Sequence, residues 1–246
     1  SGPFTRIVVT CEHASNAVPK EFAPLFRRAS GALNSHRGWD PGTLPLANAL
    51  ARRFHATLFA GKWSRLLVDL NRSPGHRGLF SPFTASLDPA ARALIADRFH
   101  APHWHAVEQE IAGEIDAGGT VLHLGVHSFT PVLNAVRRTA DFALLYDPRR
   151  PFERALCSEW LEALAEAPPA PRESALRLRR NYPYLGTSDG LTTHLRKRFA
   201  ADRYAGIEIE LNQALLPPRA KGPPRFPERI EAAVIEALAR ALAGSR

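Results

Sequence analysis

Two cysteines in 246 residues, Cys11 and Cys157, stand far apart in the chain. They exclude a disulfide framework and point to a reducing cytoplasm. Lysine is nearly as scarce: four of the 32 basic residues are Lys and the rest are Arg. Beside abundant Ala and Pro, that imbalance needs no more than a codon bias. The basic residues are scattered and do not interleave with aromatics, which argues against a nucleic-acid surface. The formal charge of +8 implies a mild attraction for anionic substrates instead. No run of eighteen apolar residues and no charged-then-apolar leader occurs, so a soluble, non-secreted protein with no membrane contact is expected. Internal repeats and low-complexity segments are missing as well. With 45% hydrophobic residues, the chain has enough apolar material for one large core, and a single domain over 1–246 is expected.

What is present is a set of β-rich runs that finish in polar chemistry. Arg6-Ile7-Val8-Val9-Thr10 leads into Cys11-Glu12-His13, and Leu122-His123-Leu124-Gly125-Val126 leads into His127-Ser128. Ile207-Glu208-Ile209-Glu210 leads toward Asn212, and Arg65-Leu66-Leu67-Val68-Asp69-Leu70 leads into Asn71-Arg72. Further strands are expected near 57–60, 140–146 and 174–179, with 65–70 read as a strand as well. Helical spacing marks 43–54, 152–166 (ending in Pro168-Pro169), 189–200 and 227–243. Asp88 and Pro89 open another helix toward His100; Pro102 breaks or kinks it, and a second stretch runs to Asp116 before Gly118-Gly119. Alternating strands and helices imply an α/β sandwich of three layers around a mostly parallel, mixed sheet. In such sheets ligands gather beyond the carboxyl ends of the strands, where these polar residues fall.

A catalytic zinc takes three His or carboxylate ligands and keeps one position open. His13 and His127 each follow an apolar strand directly, which holds an imidazole rigidly at the sheet's rim. His123 lies on the same face as His127 but roughly 13 Å down the strand, so it is read as buried and hydrogen-bonded. The third ligand should be a carboxylate. Asp40, in Trp39-Asp40-Pro41-Gly42, competes here with Glu12, and its alternative role is an Asx-turn or helix cap. Neighbouring strand residues point to opposite faces, which disfavours Glu12 beside His13. His100, His103 and His105 are interrupted by Pro102 and read as partly exposed surface.

Within 207–212 the isoleucines point one way while Glu208, Glu210 and Asn212 point the other. Two glutamates on one face of a buried strand are costly unless paired or functional. Glu210, nearer the strand's end, is the candidate general base and acid; Glu208 orients a ligand or pairs with an arginine, and the alternative is an edge strand with a solvated face. Asn71-Arg72 offers a guanidinium fork suited to a carboxylate, with Asp69 placed to hold Arg72 or Arg65.

The chain resembles the N-formylglutamate amidohydrolase family. The resemblance rests on Cys11-Glu12-His13-Ala14-Ser15-Asn16, Trp39-Asp40-Pro41-Gly42, the run Ser64 to Arg72, His127-Ser128, Asn181-Tyr182-Pro183-Tyr184 and Glu208-Ile209-Glu210. It implies hydrolysis of N-formyl-L-glutamate to formate and L-glutamate in histidine breakdown, on a fold similar to the zinc carboxypeptidases and aspartoacylase. It also implies that His127 ahead of Ser128 is a zinc ligand, that Asn71-Arg72 grips the substrate carboxylate and that Glu210 is the base. The His-x-x-Glu pair of the carboxypeptidases is not here, since Ala14, Ser15 and Asn16 follow His13, so the metal carboxylate must come from elsewhere.

The expected site is therefore one zinc ion held by His13, Asp40 and His127, with Glu210 handling the proton. Asn71 and Arg72 bind an acidic N-acyl amino acid, and Arg65, Ser128 and Asn181 are further candidates for substrate contact. A deacylase of another N-acyl amino acid or short peptide, and a non-catalytic Arg-rich binding protein, are the competing expectations. Residues 73–87, rich in Gly and Pro, are a candidate lid.

Overall fold

The computed structural model describes residues 3–168, 174–217 and 222–244. Six strands form one sheet: β1 (Arg6–Cys11), β2 (Thr57–Ala60), β3 (Val121–Phe129), β6 (Phe142–Leu145), β7 (Leu178–Arg180) and β8 (Tyr204–Asn212), in the order β2-β1-β3-β8-β6-β7. Pairing is parallel everywhere except between β6 and β8. A separate antiparallel hairpin, β4 (Val132–Leu133) with β5 (Val136–Arg137), follows β3. The helices are α1 (Ser30–Leu33), α2 (Thr43–Phe54), α3 (Pro89–Ile95), α4 (Ala101–Asp116), α5 (Pro151–Ala165), α6 (Leu191–Arg198) and α7 (Glu228–Gly244).

Period-two alternation sorts the strands into two unlike faces. Val9 and Cys11 of β1, Leu122, Leu124 and Val126 of β3, and Ile207, Ile209 and Leu211 of β8 pack against α2, α5 and α7 in one apolar core. Full burial of such side chains contributes about 1.5–3 kcal/mol each. Val8, Val121 and Tyr204 face α4 and α6 on the other side. The remaining residues of that second face include Thr10, His123, Glu208, His127 and Glu210, all polar. The expected three-layer α/β sandwich with a mostly parallel mixed sheet is what the chain adopts. Among the described residues no helix is long and apolar enough to cross a membrane.

Two local expectations fail for identifiable reasons. Residues 65–70 are not a strand but a chain of turns. Their backbone amides bond to Ser64 O (from Leu67, 2.9 Å) and Leu79 O (from Asp69, 2.9 Å), not to a ladder. Leu66, Leu67, Val68 and Leu70 are apolar because they fill a satellite core with Phe26, Leu79 and Ile95. Of the break or kink expected at Pro102, the break does not occur, since α3, residues 96–100 and α4 follow without interruption. A single wide turn over Ala96–His100 loosens the spiral just ahead of it, which relieves the clash of the ring with the preceding turn. Asp88 does cap α3, accepting from Ala91 N. The helix over 151–165 ends before Pro168, while Pro169 lies outside the described residues.

Candidate active site

The carboxyl ends of β1, β3 and β8 lie on one edge of the sheet, and the register sets His127 directly beside Glu210. His13 follows the end of β1 by two residues. Asp40 arrives from the loop before α2, tied down by Asp40 N donating to His13 O (2.9 Å) and by Thr43 Oγ1 donating to Asp40 O (2.7 Å). Its carboxylate does not cap α2, whose N-cap is Gly42. Instead Asp40 Oδ2 lies 3.3 Å from His13 Nδ1 and 3.2 Å from His127 Nδ1. The two imidazoles are tilted at 59° with centroids 5.2 Å apart. All three residues are buried, and their ligand atoms lie within 4.8 Å of one another.

Each imidazole turns its far nitrogen toward a second carboxylate. His13 Nε2 donates to Asp69 Oδ1 at 2.7 Å, and His127 Nε2 lies 3.3 Å from Glu12 Oε2, an ion-pair contact without hydrogen-bond alignment. Asp69 is fixed in turn by Arg65 Nη2 (2.7 Å) and by Asn71 N (3.0 Å). Glu12 thus sits behind His127 and not at the converging corner. The chain turns at Glu12 and His13, after β1 has ended, so strand alternation no longer governs them. Close approach is needed here: a Cβ on Gly61 would meet Glu12 O at 1.9 Å.

The electrostatics of this corner would favour a cation. Burial opposes ionisation of Asp40 and Asp69, yet Arg65 and the imidazoles reverse that and hold both carboxyls well below their ordinary range. Glu12 is held low against burial by its contact with His127. For His127, burial favours the neutral ring, but Asp40 and Glu12 overturn this and keep it protonated well above its ordinary value. Arg65 pairs with two of these three ionised carboxylates, Asp40 and Asp69, and the proton on His127 offsets one further charge, so the corner stays net negative; a metal on Nδ1 would displace that proton. The spacing fits as well. Ligands about 2.0–2.1 Å from a tetrahedral zinc are about 3.3 Å apart, close to the two distances measured to Asp40.

The cluster opens into a cavity of about 200 Å³, lined also by Arg65, Asn71, Arg72, Ser128, Phe129, Arg138, Tyr184, Asp189, Glu208 and Glu210. Wider clefts, about 570 and 700 Å³, lie elsewhere; among the described residues neither contains a comparable group of ligands. Glu210 is buried and its Oε2 has no hydrogen-bond partner. Burial, with Asp40 and Glu208 adding like charge, pushes its carboxyl up to about 8, against the opposing pull of His127 and Arg138. β8 is a central strand, so the reading of its glutamates as a solvated edge fails. Glu208 accepts from Thr192 Oγ1 at 2.8 Å.

A family model for N-formylglutamate amidohydrolase matches residues 5–216. The chain belongs to the N-formylglutamate amidohydrolase family. A solved structure of gene product Atu2144 from Agrobacterium tumefaciens is similar, with 29% identity, a TM-score of 0.78, and coverage of 99% of this chain and 92% of that one. The crystal structure of N-formylglutamate amidohydrolase from Ralstonia eutropha JMP134 shares the fold at 20% identity and a TM-score of 0.63, covering 100% of this chain and 93% of the other. A search of curated proteins found no match.

In this family member the other expected residues fall unevenly. Arg65 lines the cavity, but its guanidinium is taken by Asp69 and by Asp40 Oδ1 at 3.6 Å. Arg72 donates to Asn71 O (3.1 Å) and Asp189 O (2.7 Å), while Asn71 Oδ1 accepts from Leu191 N at the start of α6 (2.8 Å). Ser128 Oγ donates to Pro41 O (3.1 Å) and accepts from Gln213 Nε2 (3.1 Å). Asn181 is not brought into the cavity lining; its Oδ1 accepts from Tyr146 N and Gly186 N. His100 is buried, contrary to the surface reading. Its Nε2 donates to Arg72 O (2.8 Å), and Trp104 Nε1 donates to Leu70 O, so this helix clamps the Asn71-Arg72 loop. His105 is exposed as expected, and His103 is intermediate. Arg138 also lines the cavity, and no local motif in the sequence marks it.

Proposed function

We propose that this protein hydrolyses the amide bond of N-formyl-L-glutamate, giving formate and L-glutamate, with one zinc ion held by His13, Asp40 and His127. The observation that carries this reading is the convergence of three buried ligand atoms beside an unpartnered buried glutamate. A divalent ion held there supplies Lewis acidity toward an amide carbonyl and toward water. The remaining work belongs to the side chains. Asp69 and Glu12 fix the orientation of the two imidazoles from behind, as carboxylates behind metal-binding histidines do. Glu210, one strand over from His127, accepts a proton from the attacking water and returns it to the departing nitrogen. Water's oxygen adds to the formyl carbon, the C–N bond breaks, and the amine leaves neutral. Arg72, with its guanidinium braced on two backbone carbonyls, takes the substrate's α-carboxylate. The small cavity suits a single amino-acid-sized ligand.

Two measurements test this. Protein purified without chelator should carry about one zinc per chain, as a site with three protein ligands requires, and should release formate from N-formyl-L-glutamate. A panel of N-formyl, N-acetyl and aspartyl substrates then decides the acyl group and amino acid. Stoichiometric zinc with turnover of an N-acetyl substrate alone moves the assignment to another deacylase. Zinc-free protein with no turnover on any of them sinks the hydrolase reading.

A further inference from the structure

We propose that Arg138 binds the side-chain carboxylate of the acidic substrate and so sets the preference for glutamate-type over neutral N-acyl amino acids. The proposal rests on the hydrolase reading and adds to it a second anion subsite beside the one formed by Arg72. Arg138 follows the β4–β5 hairpin and is only 8% exposed. Its guanidinium lies over the rings of Phe129 (5.8 Å) and Tyr184 (5.0 Å), and Nη2 donates to Tyr184 Oη at 3.1 Å. Nη1 is buried with no partner. Among the described residues no carboxylate lies within ion-pair distance of it, although it lines the same cavity as His127 and Glu210.

That is an unusual way to bury a charge in this molecule. Arg150, the other arginine buried among the described residues, lies 3.6 Å from Glu153, Arg196 lies 3.0 Å from the same carboxylate, and Arg65 pairs with Asp69 at 2.7 Å. A desolvated guanidinium without a counter-charge is costly, and an aromatic face recovers only part of that cost. The missing partner is supplied when an anion enters the cavity. Arg72 donates to backbone carbonyls, so two guanidiniums on the cavity wall, Arg72 and Arg138, have no carboxylate within ion-pair distance among the described residues. A ligand with two carboxylates satisfies both; a neutral amide in place of the second leaves Arg138 Nη1 unpaired. Sites built around a charged partner discriminate strongly against analogues that lack it.

The test compares N-formyl-L-glutamate with N-formyl-L-glutamine, which differ by one charge at nearly constant shape. Wild type should favour the former in kcat/KM, and Arg138→Gln should cut that preference by about 10- to 100-fold, the range of a charged hydrogen bond. The change should fall chiefly on KM, and Arg138→Lys, which keeps the cation over the rings, should restore part of it. Thermal stabilisation by glutarate over butyrate should be lost in parallel in Arg138→Gln. An unchanged substrate ratio in a folded Arg138→Gln protein, or glutarate stabilising it as well as wild type, overturns the proposal. If wild type turns over neither substrate, the hydrolase reading fails, and the glutarate comparison still decides the role of Arg138.

Discussion

Two histidines on the same strand face, four residues apart, live in opposite chemical worlds. His123 is enclosed by neutral hydroxyls: Nε2 meets Thr10 Oγ1 at 2.9 Å and Nδ1 meets Tyr204 Oη at 2.8 Å. Both ring nitrogens are satisfied, and burial drives the ring's pKa down to about 4. His127 is flanked by Asp40 and Glu12 and is driven the other way. Around it stand buried atoms with unused bonding capacity, Oε2 of Glu12 and Oε2 of Glu210. Buried polar groups that saturate one another hold a fold together. Those that leave capacity unused, at a cost of about 1–3 kcal/mol per group, mark the place where something else binds.

The largest expected effect lies at the unsaturated end. Glu210→Gln keeps shape but removes the proton acceptor, so kcat should fall by about 10²- to 10⁴-fold while bound zinc stays near the wild-type level. Loss of zinc together with activity recovered by added metal would make Glu210 a ligand and erase its assigned role. A smaller effect is expected behind His13. Asp69→Asn weakens the charge that orients this imidazole and also releases Arg65. Zinc affinity should drop about 10- to 100-fold, read by competition with a chromogenic chelator. Unaltered affinity would mean that the carboxylate behind the histidine is only a turn residue, and the contrast between the two ends of the strip would lose its electrostatic basis.

Much of this contrast was legible in the residue order. Runs of β-branched and apolar residues ending in His13 and His127 place both at one rim, and the alternation in Ile207-Glu208-Ile209-Glu210 aims Glu210 at the same side. The four-residue spacing of His123 and His127 correctly separates the two. Other parts were hidden because long-range packing decides them. Leu66, Leu67, Val68 and Leu70 are apolar for a satellite core, and nothing local distinguishes that from a strand. Glu12 meets His127 across 115 positions, through the β1–β3 pairing. Its neighbour Cys11, buried and bonded to Thr43 Oγ1, belongs to the apolar core and not to the site. Arg138 is one arginine among many until the fold shows it buried on the cavity that Glu210 also lines, with no carboxylate within ion-pair distance among the described residues.

The smallest effect belongs to the saturated end, and it is a change in stability with none in chemistry. An unfolded histidine titrates near 6.5, whereas folded His123 does so at about 4. Between these values the unfolded chain binds a proton that the native ring refuses, so stability should fall as pH drops from about 6.5 toward 4. The single-group limit is roughly 3 kcal/mol, fully present above the unfolded pKa. Replacing the ring with Gln removes this titration: the variant should be less stable than wild type at pH 8, yet lose less on going to pH 5. Chemical denaturation at both values, on protein stripped of metal so that ligand release does not intrude, reads the difference directly. Zinc affinity at pH 8 should not change. If His123→Gln lowered zinc affinity as Asp69→Asn does, the two ends of the strip would be one coupled network, and the division drawn from their partners would collapse.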